Sequence, residues 1–136
     1  MKVLMIFTER FAYKTTSKGL ETAPTVQEEK EFNDALVGFI QVEAEDEQNA
    51  KNIETKLVKN LKWAAKKNNV KRVIIHSFNH LSESKAKPEF SKELLDKVFE
   101  RMKNAGYETY QTPFGYFLDL EVKAPGYSLA RVFKSL

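Results

Sequence analysis

The sequence predicts an α/β domain of two layers, a mixed or antiparallel sheet with two main helices packed on it. Three observations predict it. Apolar runs, Val3 to Phe7 and Ala35 to Val42, suit buried strands. A helical period follows at Ile53, Leu57, Leu61 and Ala64. A second repeats at Phe90, Leu94, Val98 and Met102, with further extended segments after each helix. The 136 residues, 42% hydrophobic, suffice for one core, so residues 1–136 are expected to form a single domain.

Val3 to Phe7 is the first strand. Its start, Met1-Lys2, is basic then apolar, but Thr8-Glu9-Arg10 interrupts it far short of a signal peptide or membrane span. Thr15 to Glu31 is polar and carries Gly19 and Pro24, which predicts a long connection with at most a short helix. Ala35 to Val42 shares the sheet with the first strand. The first helix runs from Asn49 to Asn68-Asn69, and Val70 to Ile75 returns to the sheet as a strand. Pro88 suits the first turn of the second helix and Gly106 a left-handed cap after its end. Tyr107 to Gln111 and Tyr116 to Val122 are two more strands. In the latter, Tyr116, Leu118, Leu120 and Val122 alternate with Phe117, Asp119 and Glu121, which puts Leu118 on the apolar side. Gly126 to Lys134 is expected to hold a short helix at most.

The chain has no cysteine, which excludes disulfides, thiolate metal sites and a cysteine nucleophile, and fits a reducing cytoplasm. Its charge of +3, from 22 Lys and Arg against 19 Asp and Glu, is compatible with a polyanionic partner without requiring one. Walker loops, dinucleotide glycine fingerprints, zincin helices and nucleophile elbows are missing. Two histidines remain as acid-base candidates. His76 ends an apolar strand, where a histidine satisfied by hydrogen bonds is the expectation. His80 lies in Ser77-Phe78-Asn79-His80-Leu81-Ser82, a loop leaving the carboxyl end of a strand, a frequent place for function. Lysines at 51, 56, 59, 62, 66 and 67 read first as the solvated face of a helix, with a phosphate-backbone track as the alternative. Phe114, Tyr116 and Phe117 offer either core packing or a stacking surface for a base.

Four motifs occur in order: Phe39-Ile40-Gln41-Val42-Glu43, His80-Leu81-Ser82, Lys87-Pro88 and Pro113-Phe114-Gly115-Tyr116. In them the chain resembles the editing domain of archaeal threonyl-tRNA synthetase, nearly end to end. The resemblance implies a D-aminoacyl-tRNA deacylase-like fold, usually homodimeric, that hydrolyses seryl-tRNA made in error on the threonine tRNA. It implies His80 as the residue at the chemistry. Val42, Glu43, Asn79, Phe114, Gly115, Tyr116 and Phe117 would hold the charged tRNA 3′ end. It implies no metal and no cofactor, since an activated ester needs mainly a positioned water and fixed N–H donors, helped in the family by the ribose 2′-hydroxyl. The sequence departs from the family at three points. Phe117-Leu118 stands where Tyr-Lys is usual, Arg131 where a glutamate is expected, and Phe7-Thr8 where His-Ser follows the first strand. With no aminoacylation domain following, the resemblance points to action in trans, with a threonyl-tRNA synthetase as possible partner and no membrane association. Two alternatives accompany it: a non-catalytic module for charged tRNA ends, or a deacylase for another amino acid, D-amino acids included.

Overall fold

The computed structural model describes residues 1–136. Strands β1 (Lys2–Lys18) and β2 (Glu29–Gln41) form one long antiparallel hairpin, in register from Lys2 opposite Gln41 to Lys14 opposite Glu29. Beside β2 lie β3 (Arg72–Ser77) and β4 (Glu108–Gln111), both parallel to it. Parallel neighbours need crossovers, and these are α1 (Ala50–Lys67) between β2 and β3 and α2 (Pro88–Asn104) between β3 and β4. The other edge of β1 is filled end to end by two antiparallel strands. β6 (Arg131–Ser135) pairs with Lys2 to Ile6, and β5 (Tyr116–Lys123) with Arg10 to Lys18. The result is a mixed six-stranded sheet with two helices on one face, the fold class read from the sequence.

The helix periods turn the expected faces inward. Ile53, Leu57, Leu61 and Ala64 of α1 and Leu94, Val98 and Met102 of α2 pack with Val3, Met5, Leu36, Ile40 and Ile75. α1 packs tightly on the sheet at Gly38, where a Cβ would fall 2.9 Å from Leu61 Cδ2. Pro88 opens α2, and Gly106, at φ +91°, follows its cap as its position predicts. No helix is long and apolar enough to cross a membrane.

The opposite face carries a second core of Phe11, Tyr13, Ala35, Val37, Phe39 and Ile74 without any helix over it. The sheet covers it by curling. Phe11 pairs with Phe32, seven residues from Phe39 along β2 and thus about 23 Å away in a straight strand. Yet the Phe11 and Phe39 rings are 6.3 Å apart, and Phe32 meets Tyr110 of β4 at 4.7 Å. The hairpin bends back opposite Asp34, whose φ of +50° is a conformation aspartate tolerates better than most side chains. At that bend the alternation of β1 changes phase. Leu4 and Ile6 face the second core before it, Phe11 and Tyr13 after it.

Two stretches differ from expectation. Thr15 to Glu31 is not one long connection, because β1 continues to Lys18 and β2 begins at Glu29, leaving Gly19 to Glu28 as the hairpin loop. Gly126 to Lys134 has the short helix expected at most, a single 3-10 turn at Ser128–Ala130, but also holds most of the unexpected strand β6. In both places polar side chains sit on extended backbone whose hydrogen bonds go to β1 or to its partner, so burial leaves no periodic trace in the sequence.

Candidate functional site

β2, β3 and β4 point the same way, so the segments leaving their carboxyl ends gather at one edge of the sheet. They are Val42-Glu43, Phe78 to Ser84, and Thr112 to Tyr116. Crevices outside the carboxyl ends of parallel strands are where open α/β sheets bind ligands. Main-chain bonds knit the segments together, Phe78 N to Ile40 O (2.8 Å), Ala86 N to Val42 O (3.0 Å) and Thr112 N to Ile75 O (3.1 Å).

The His80 loop is held by a residue absent from the sequence-based site, Gln41. Its side chain is fully buried and uses all of its amide valences on the loop backbone. Oε1 accepts from Leu81 N (2.6 Å) and Ser82 N (2.7 Å), while Nε2 donates to Ser82 O (2.7 Å) and Ser84 O (2.8 Å). The signal was present in the sequence: a glutamine ending the apolar run Ala35 to Ile40 is a buried polar group that must find partners.

Glu43 holds the same loop from a second side. Its Oε2 accepts from Ser82 Oγ (2.6 Å), and its Oε1 accepts from the Met1 ammonium (2.6 Å) and Lys2 Nζ (3.2 Å). The ammonium also reaches Asp46 Oδ1 (3.1 Å), and Asp46 Oδ2 accepts from Glu43 N (2.7 Å). Burial alone would push the Glu43 carboxyl up, but the hydrogen bonds from Met1, Ser82 and Lys2 outweigh it and hold it at about 2. Val42 and Glu43 are both almost wholly buried, so their side chains are engaged within the protein.

Asn79 and His80 are exposed. The His80 ring lies edge-on to Phe78 at 4.8 Å, and Phe78 in turn packs on Phe39 at 5.2 Å. The imidazole makes no hydrogen bond to the protein and is open to a ligand. His76 is the opposite case. Buried against Phe39 and Phe11, its Nδ1 lies 2.8 Å from Thr112 Oγ1, as expected of a histidine satisfied inside the fold. Burial, with a smaller contribution from His80, lowers its pKa to about 4, so the ring is neutral at pH 7. The His76–Thr112 contact joins the strand behind the His80 loop to the segment that leads into Pro113.

In the Pro113 to Tyr116 turn, Gly115 has φ +82°, and its carbonyl accepts from Gly19 N (2.7 Å) and Leu20 N (3.1 Å). A Cβ there would lie 3.1 Å from the Ala23 side chain, so both conformation and space demand glycine. Tyr116 Oη donates to Pro24 O (2.7 Å) and accepts from Val26 N (2.8 Å), pinning the hairpin loop. Phe114 is half-buried against the main core, Phe117 is 57% exposed, and Leu118 packs on the second core, on the apolar side its alternation predicts. Tyr116→Phe is expected to cost about 1–2 kcal/mol and to speed hydrogen exchange of the Val26 amide. An unchanged exchange rate there would remove the tyrosine's role as a pin.

The chain matches, over residues 1–136, the family described as the archaea-specific editing domain of threonyl-tRNA synthetase. It is 30% identical over 139 residues to the threonine–tRNA ligase of Pyrococcus horikoshii and equally to that of Thermococcus kodakarensis, aligning along 100% of its own length and 22% of theirs. The ligase of Methanosphaera stadtmanae is similar to the same degree and extent. The chain thus spans about a fifth of the length of these relatives. Among solved structures it is similar to the c-Myc DNA Unwinding Element Binding Protein, with a TM-score of 0.73 at 11% identity over 100% of this chain and 99% of that one. The shared fold is of the D-aminoacyl-tRNA deacylase type.

Proposed function

This chain belongs to the family of archaea-specific editing domains of threonyl-tRNA synthetase, and from that premise we propose that it hydrolyses misacylated tRNA, seryl-tRNA for threonine first of all. The observation that carries the reading is the gathering of three family motif segments at the carboxyl ends of three parallel strands, with His80 an exposed side chain among them that is able to transfer protons. The terminal adenosine would lie along the Phe114 to Tyr116 turn, with Phe117 beside it, and the aminoacyl group near Val42, Glu43, Asn79 and His80.

The chemistry asks little of side chains. Water attacks the ester carbonyl carbon, the bond to the ribose oxygen breaks, and serine and a free tRNA 3′ end leave. Backbone N–H groups stabilise the oxyanion, the neighbouring ribose hydroxyl orients the water, and His80 orients the substrate. A pocket fitted to serine refuses the extra methyl of threonine, a difference worth about 1–3 kcal/mol. We further propose that the chain acts in the cytoplasm as a homodimer, and in trans on tRNA charged by a synthetase.

The test is hydrolysis of seryl-, threonyl- and D-aminoacyl-tRNA under identical conditions. Expected are clearance of the seryl ester, survival of the threonyl ester, and a loss of roughly tenfold to hundredfold for His80→Ala, well beyond that for His76→Ala. Release no faster than the spontaneous rate would overturn the reading. One observation favours a second: Leu118 lies in apolar contact with the second core where the family's ammonium is usual. A binding module without turnover would bind charged ends tightly and acquire hydrolysis only in Leu118→Lys.

A further inference from the structure

The two helices treat their charges differently. α2 carries four basic and four acidic side chains, and they pair: Lys92 with Asp96 (2.8 Å), Lys97 with Glu93 (3.0 Å). α1 carries six lysines and one glutamate, and that glutamate, Glu54, is taken by Lys51 and by Arg101 of α2. Lys56, Lys59, Lys62, Lys66 and Lys67 have no carboxylate partner. From Thr55 to Ser82 there is no acidic residue at all, although acidic residues outnumber basic ones in the rest of the chain outside α1. The modest net charge of the protein therefore hides a concentrated one.

At 3.6 residues per turn these five lysines occupy an arc of about 140° on the side of α1 away from the sheet. Near its middle stands Trp63, 37% exposed, with Lys134 Nζ 5.7 Å from its ring. Past the helix end, Asn68 binds Tyr127 Oη (2.7 Å) and Leu129 O (3.0 Å), and so fixes the half-exposed Tyr127 next to the lysines. A lysine arc interleaved with an aromatic ring suits a phosphate backbone. It does not suit a bilayer, because the apolar face of α1 is already spent on the core and nothing remains to insert. α1 begins at Ala50, separated from Glu43 of the candidate cleft by the 3-10 turn Ala44–Gln48, and runs for about 27 Å.

We propose that the lysine face of α1 is a docking surface for the phosphate backbone of RNA, holding the body of a tRNA whose 3′ end occupies the cleft. The tRNA end in the cleft rests on the function proposed above; the docking surface has a separate readout. The test compares wild type, Lys56→Gln/Lys59→Gln/Lys66→Gln/Lys67→Gln, and the same four positions changed to Arg, as full-length chains with matched melting temperatures. Two probes are used, whole tRNA and a serylated CCA trinucleotide, with phosphatidylserine vesicles alongside.

The glutamine variant is expected to lose at least about tenfold affinity for tRNA near 0.1 M salt, with a log–log salt slope shallower by about 3. The arginine variant keeps both, and trinucleotide hydrolysis is the same in all three. Unchanged tRNA affinity and slope in the glutamine variant would overturn the proposal, as would loss confined to vesicle binding, which would make the face a membrane contact. Equal losses on tRNA and trinucleotide would also overturn it. If no protein hydrolyses either ester while tRNA binding still drops in the glutamine variant, the docking surface stands and the editing function falls.

Discussion

Gln41→Leu is expected to remove about 3–4 kcal/mol of stability, seen as a melting temperature lower by roughly 10 °C, and to abolish most of the hydrolysis proposed above. Leucine fills the space but strands two N–H groups, of Leu81 and Ser82, and two carbonyls, of Ser82 and Ser84, that the amide now satisfies. Each such buried group left without a partner costs about 1–3 kcal/mol, and the loop, being half-buried, recovers part of that from water. A purely structural loss would be insensitive to protonation, so Gln41→Glu separates the possibilities. Its protonated carboxyl reproduces one acceptor and one donor, whereas the ionised form turns a negative oxygen toward two carbonyls. Activity that returns on acidification in Gln41→Glu, but not in Gln41→Leu, identifies the amide as what positions the His80 loop. A Gln41→Leu protein as stable and active as wild type would sink this account.

Glu43→Gln is expected to cost about 3 kcal/mol, since removing one member of a buried ion pair leaves the Met1 ammonium facing only Asp46. The pH dependence gives a finer check. The folded Glu43 carboxyl sits at about 2, below the usual 4.5, so its stabilisation is present above pH 4.5 and is lost as pH falls from there toward 2. His76, neutral when folded and lowered to about 4 from 6.5, removes stability in a higher window, between about pH 6.5 and 4, because the unfolded ring takes up a proton that the buried one refuses. Urea midpoints from pH 2 to 7 should therefore show the upper decline in both proteins and a lower decline that is larger in wild type, since Glu54 and Glu108, also held below the usual carboxylate range by Arg101 and Arg72, keep a share of it in Glu43→Gln. A lower decline of the same size in Glu43→Gln would mean that other carboxylates carry the acid sensitivity.

What could be read in the sequence follows from what burial imprints on it. Ile53, Leu57 and Leu61 had to recur at helical spacing because one side of α1 meets the sheet, and Leu118 had to alternate because one side of β5 meets the second core. The motif segments were legible as short strings, and three of the four leave a parallel strand at the same edge, while Lys87-Pro88 opens α2. β6 was not legible, because four of its five side chains are exposed and, Val132 apart, it is held mainly by main-chain pairing with Lys2 to Ile6. The bend at Asp34 left no trace either, since a change of phase in two facing strands reads as two ordinary interruptions. Gln41 stood in plain view, but its partners lie some forty residues away, and pairing at that distance is a property of the fold.

The curled sheet also has a history. β1 precedes every other element of this domain in the chain, yet the strands that complete its outer edge, β5 and β6, come from Tyr116 to Ser135, after everything else the strand touches. Until they arrive, β1 presents a row of unpaired N–H and C=O groups flanked by Val3, Met5 and Phe11, the kind of edge that recruits neighbouring chains. Assembly of this domain therefore waits on translation, and the long sequence separation of those pairings makes their closure the slow event. A stalled or truncated nascent chain would hold both helices and still be sticky along its oldest strand.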